Sequence, residues 1–136
     1  YYIHTQKDAF LRHYSYESPY KLDYQLMNQG AELLKSHTDF AAFCKTGADN
    51  KSTLCTIRES KWVQTSAISW YFEITANRFL RNMVRAIVGT LVEVGLGKIK
   101  SEDLHDIIQA KYRNKAGASA PAHGLYLVDV GYKNEF

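Results

Sequence analysis

Cysteine and proline are scarce, two of each among 136 residues, and no apolar run approaches the roughly 20 residues a bilayer requires. Cys44 and Cys55 form no CxxC pair, and His4, His13, His37, His105 and His123 are scattered without metal-ligand spacing, so neither a metal site nor a membrane span is expected. The two thiols read as reduced in a cytoplasmic protein, with a disulfide left open. An initiator Met and a signal peptide are missing too. Tyr1-Tyr2-Ile3 reads as the middle of a strand, so the chain is expected to be a piece of something longer. Self-contained catalysis also finds no support: no serine or cysteine stands in a nucleophile motif, no glycine-rich loop follows a strand, and no carboxylate pair differs in context from surface charge.

What is present suits one globular domain. Hydrophobic residues make up 46% of the chain, enough for a core, and ten tyrosines supply area with a polar tip, suited to packing, to an interface or to stacking on bases. Net charge is only +3, but it is unevenly placed: residues 1–75 hold eight basic and eight acidic side chains, whereas residues 76–115 hold eight basic and four acidic. The positive surplus therefore sits in one segment, as a polyanion-facing surface would need.

Tyr1 to Thr5 reads as a strand end, followed by a loop rich in aromatics. The spacing Leu22, Leu26, Met27, Gly30, Leu33, Leu34 predicts an amphipathic helix with Asp23 in its first turn. Thr38 or Asp39 then caps a short turn that buries Phe40 and Phe43. Residues 54–64 and 67–75 read as antiparallel strands joined near Thr65-Ser66, with Ile68, Trp70, Phe72 and Ile74 on one face. A helix follows over 76–95 with a glycine stop at Gly95-Leu96-Gly97, then a second from Ser101 with Leu104, Ile107 and Ile108 inward. A loop over 114–124 leads to a last strand, Leu125 to Tyr132. The fold class is α+β: an antiparallel or mixed sheet with helices mainly on one face.

The helix over 76–95 is the most informative element. At about 100° per residue, Leu80, Met83, Val84, Ile87, Leu91 and Val94 share one side, while Arg78, Arg81, Asn82, Arg85 and Gly89 share the other. Such a row is either a solvated face or a seat for an anion. Glu93 is the one acid in the segment, so the arginines lack the i, i+4 partners of an ordinary salt-bridged surface. Gly89 on the same side leaves room for another backbone or a ligand to approach.

The run Ala76-Asn77-Arg78-Phe79-Leu80-Arg81-Asn82-Met83-Val84-Arg85-Ala86-Ile87-Val88-Gly89-Thr90-Leu91, with Glu93-Val94-Gly95, resembles the signature helix of the tRNA pseudouridine synthase A family. Three further segments agree in order and spacing: Thr38-Asp39-Phe40 with Phe43-Cys44; Arg113 and Ala116 leading to Ala120-Pro121; and Gly124-Leu125-Tyr126-Leu127 with Val130 and Tyr132. The resemblance implies one half of a pseudouridine synthase fold, from enzymes that convert uridine to pseudouridine in the anticodon stem-loop of tRNA. These enzymes work as homodimers without cofactor or metal, flipping the base into a cleft where a catalytic Asp breaks the glycosidic bond. It further implies that Arg85 pairs with that Asp, keeping it ionised and oriented. By position, Leu125 and Leu127 line the base pocket or else belong to the core. Arg78, Arg81, Lys98, Lys111 and Arg113 are expected to grip tRNA phosphates or to be solvated.

The departure from the family pattern is specific. Its Asp lies in an Arg-Thr-Asp-Ala-Gly-type loop of the amino-terminal half, and these 136 residues contain no such loop. Tyr1 matches only the second Tyr of the family's Arg-x-Tyr-x-Tyr strand, and neither Asp39 nor Asp49 stands in the required motif. The chain is thus expected to be a carboxy-terminal domain over 1–136, inactive alone, with a non-catalytic RNA-binding module or a dimerisation domain as the other readings.

Overall fold

A computed structural model describes residues 1–45, 47 and 52–128. Its centre is a hairpin of β3 (Ile57–Gln64) and β4 (Ser69–Ala76), paired so that Trp62 faces Phe72 and Gln64 faces Trp70. β1 (Tyr2–His4) lies antiparallel to β4, and the two-residue β2 (Tyr16–Glu17) lies parallel to β1, giving a mixed sheet in the order β2-β1-β4-β3. The α+β expectation holds. Because side chains alternate across a strand, Tyr1, Ile3, Phe72, Ser60 and Trp62 share the buried face. The opposite face carries Tyr2, Tyr71 and the Lys61–Glu73 ion pair and is partly open.

Helices close the buried face. α1 (Tyr24–Leu34) starts one residue after Asp23, whose carboxylate accepts from the Leu26 amide at 3.1 Å; Asp23 acts as the cap instead of as a first-turn charge. Asn28 of α1 reaches the outer edge of β3, accepting from the Trp62 amide at 2.7 Å and donating to its carbonyl at 3.3 Å. That occupies backbone groups which an edge strand would otherwise offer to another chain. α2 (Met83–Gly95) crosses α1, and α3 (Asp103–Ala110) buries Leu104 and Ile108. α2 stops where the glycines predicted: Gly97 adopts φ +78°, its amide bonds the Val94 carbonyl and the Lys98 amide bonds the Glu93 carbonyl, the paired closure of a Schellman motif. The turn at Ala41–Phe43 buries Phe40 and Phe43 fully, with Asp39 accepting from the Ala41 amide.

Two expectations need correction. The predicted helix over 76–95 forms only from Met83: residues 77–82 are an irregular lead-in, because Asn82 takes a left-handed φ of 67° that no helix can run through. Arg78 and Arg81 are therefore not on the helix. The predicted strand from Leu125 is absent over Leu125–Val128, where Tyr126 anchors the chain by packing edge-on against Tyr2 (5.5 Å between centroids) and donating to the Tyr14 carbonyl. Side-chain contacts replace a ladder there. Residues 129–132 of that strand lie outside the described residues. β2 was not foreseen, since two residues show no period.

Candidate functional site

The lead-in to α2 is held by its backbone and by the Asn77 side-chain amide. Asn77 exchanges two hydrogen bonds with Thr56, the Lys45 amide bonds the Arg81 carbonyl, and the Asn82 carbonyl takes the first helical bond from the Ala86 amide. Arg78 donates to the Ser52 carbonyl at 3.0 Å, and the Arg81 side chain is exposed. Arg85 is different: it sits half-buried in the first turn of α2, where the helix dipole is already positive and no acidic residue neutralises it. Its Nε donates to the Ala120 carbonyl at 2.8 Å while its own carbonyl accepts from the Ala120 amide at 2.9 Å. Among the described residues its two Nη atoms make no hydrogen bond, so the outer edge of the guanidinium is open to an anion.

The segment 117–120 lies along α2 and runs antiparallel to it. The Gly117 amide donates to Thr90 Oγ1 at 2.9 Å, and Ala118 crosses directly over Gly89. A Cβ on Gly89 would stand 1.7 Å from the Ala118 carbonyl oxygen, so the room foreseen there is filled by backbone. Ser119 Oγ accepts from Asn82 Nδ2 at 2.6 Å and from Arg113 Nη2 at 2.9 Å, while Arg113 Nη1 donates to the Gly117 carbonyl at 2.8 Å. Beyond Ala120, the buried Tyr1 phenol donates to the Pro121 carbonyl. Burial raises the Tyr1 pKa well above the ordinary value, with the charge of an ionised Tyr16 hydroxyl adding to the rise and the Arg85 charge opposing it. An open cleft of about 670 Å³ adjoins Pro121, between Tyr16, Glu17 and the loop carrying Lys7 and Arg12.

The remaining site candidates scatter. Lys111 pairs with Asp39 at 3.3 Å, and its backbone is left-handed at the end of α3. Burial disfavours the Asp39 charge, but the Thr53 hydroxyl, the Ala41 amide and Lys111 outweigh it and hold the carboxyl below its usual 3.8. Lys98 is exposed past the far end of α2, a 13-residue helix about 20 Å long, whereas Arg81 precedes its start. Leu125 and Leu127 are 39% and 80% exposed and do not line the cleft. His37 and His105, read as scattered, meet with Nε2 and Nδ1 at 2.6 Å, joining the end of α1 to α3. Sequence reasoning missed Asn82 and Ser119 as partners, since nothing in their spacing of 37 residues links them.

No helix among the described residues is long and apolar enough to cross a membrane. The family model for tRNA pseudouridine synthase matches residues 31–133, which takes in Arg85, Gly89 and the whole 113–121 segment. The chain is 48% identical over 135 residues to tRNA pseudouridine synthase A of Bacteroides fragilis, covering 99% of this chain and 54% of that one. It is 47% identical to the protein of that name from Parabacteroides distasonis (99% and 53%) and 41% identical to that from Bacillus subtilis (98% and 55%). The chain thus spans about half the length of the curated relatives it matches. With the matched residues carrying the arginine segment and the loop that clasps it, the chain belongs to the tRNA pseudouridine synthase family.

Proposed function

We propose that these residues are the carboxy-terminal half of a cytoplasmic, homodimeric tRNA pseudouridine synthase A, which isomerises uridine to pseudouridine in the anticodon stem-loop without cofactor or metal. The observation that carries this reading is Arg85: a guanidinium fixed through Nε, with its outer nitrogens open, at the positive end of α2. A carboxylate arriving from the amino-terminal half meets a bidentate donor that is already oriented. The pairing favours the ionised Asp and so supplies the nucleophile at neutral pH. Leu125 and Leu127, exposed in this half alone, become apolar wall for the flipped uracil once the other half covers them. Flipping costs a few kcal/mol, which contacts from Arg81, Lys98, Arg78, Lys111 and Arg113 to phosphates help offset. Arg81 and Lys98 are the readiest of these, whereas Arg78, Lys111 and Arg113 already hold protein partners.

A tritium-release assay on an anticodon stem-loop tests the division of labour. The 136 residues alone are expected to give no turnover, and turnover by them would overturn the reading. In the full-length protein, Arg85→Ala is expected to abolish release while leaving tRNA affinity within a few-fold.

A further inference from the structure

Arg85 is aimed by a chain of contacts that begins at Asn82, three residues earlier on the same segment. We infer that Asn82 and Ser119 are positioning residues for Arg85: together they fix the Ala120 carbonyl that holds its Nε, and so set the direction of the open guanidinium edge. This rests on the proposal that Arg85 pairs with the catalytic Asp.

The geometry carries the inference in three steps. Asn82 stands at a left-handed φ of 67°, a conformation that is costly for most side chains and tolerated by Asn, and its amide does not cap α2. It turns instead to Ser119 Oγ at 2.6 Å, where Arg113 Nη2 also donates at 2.9 Å. One hydroxyl oxygen therefore collects donors from the start of α2 and from the 113–115 turn. Ser119 adjoins Ala120, which exchanges two hydrogen bonds with Arg85, one through the amide and one through the carbonyl. The Ala120 carbonyl is held from both directions along the chain, by Ser119 and the Ala120 amide before it and by Pro121, whose own carbonyl accepts from the Tyr1 phenol, after it.

Charge placement gives this rigidity a use. Arg85 lies half-buried near a positive helix end, so that without the Ala120 contact no acidic side chain of the first turn would define its rotamer. A long side chain then samples several rotamers, and each lost orientation must be recovered during catalysis. Holding Nε in advance removes that cost, and it leaves the Nη pair as the only part of the group that the Asp has to meet.

The test uses the full-length protein. Asn82→Gly removes the amide yet keeps the left-handed backbone accessible, so it separates the hydrogen bond from the fold; Ser119→Ala removes the shared acceptor, and Ser119→Thr restores a hydroxyl. Asn82→Gly and Ser119→Ala are each expected to lower kcat about tenfold with KM for tRNA unchanged, and the double variant to be no worse than either alone. A loosened Arg85 stabilises the carboxylate less, so the acid limb of the kcat profile moves to higher pH, and Ser119→Thr moves it back. Wild-type kcat and pH profile in both single variants, alongside an inactive Arg85→Ala, would overturn the positioning role and leave the Arg85 reading standing. Losses confined to melting temperature or to KM would overturn it equally. Full activity in Arg85→Ala would instead sink the reading on which the inference rests.

Discussion

The lead-in at residues 77–82 and the helix at 83–95 contain the same kind of residue and behave differently. Arg78 and Arg81 lie where the backbone is irregular and open to solvent, one against the Ser52 carbonyl and the other exposed. Arg85 stands a few residues later, where the helix has begun and a second segment crosses it, and there the guanidinium is clasped from behind and open in front. Spacing alone places all three on one helical face. The left-handed Asn82 divides them, so that the surroundings of each guanidinium follow from backbone geometry more than from residue type.

The largest expected effect removes the contact that makes the helical part special. Gly89→Ala puts a methyl group into the Ala118 carbonyl, and neither backbone can give way without losing the Gly117–Thr90 and Ala120–Arg85 bonds. Alanine improves helix propensity by about 1 kcal/mol, yet the overpacking is expected to win, with a net loss of about 2 kcal/mol or more in urea denaturation of the full-length protein and turnover lost with it. Unchanged stability would mean that segment 117–120 does not lie on α2.

Next comes Arg85 against Arg81. Arg85→Ala is expected to remove turnover, whereas Arg81→Ala should keep kcat and flatten the salt dependence of tRNA binding by roughly one unit of slope, the signature of a lost phosphate contact. Equal losses of kcat in both variants would erase the distinction between the two regions. Arg78→Ala is expected to change the slope less, because its guanidinium already serves the Ser52 carbonyl.

The smallest effect concerns Asp39, which lies outside both regions. A carboxyl held below its usual 3.8 stabilises the fold above that value, and the contribution disappears as pH falls through the lower, folded value. Asp39→Asn keeps acceptors for Thr53 and Ala41 but loses the Lys111 pair. It is expected to cost less than 1 kcal/mol near neutral pH, as exposed pairs do, and to make stability less steep in acid below about pH 5. Matching slopes in both proteins would remove Asp39 from that account.

Much of the scaffold was legible without coordinates. The hairpin at 57–76, the helix from Tyr24 and the Gly97 stop follow from period, capping and the tolerance of glycine for positive φ, all of which are local. The extension of the arginine helix back to residue 76 was misread, because apolar periodicity continues through Leu80 while the backbone does not. The Leu125 strand failed for a related reason: alternation was present, but Leu125–Val128 pairs with no strand and Tyr126 meets Tyr2 and Tyr14 through its side chain instead. The site was legible in part, through the motif around Arg85 and the vacancy at Gly89.

The sequence by itself determined the family, the central hairpin and the helices apart from their starts, because these depend on residues near one another in the chain or on a motif read as a string. Only the tertiary structure decided which guanidinium is clasped through its Nε. That property depends on the meeting of residues 82–90 with residues 113–121, and hydrogen bonds between segments so far apart leave no period in the sequence.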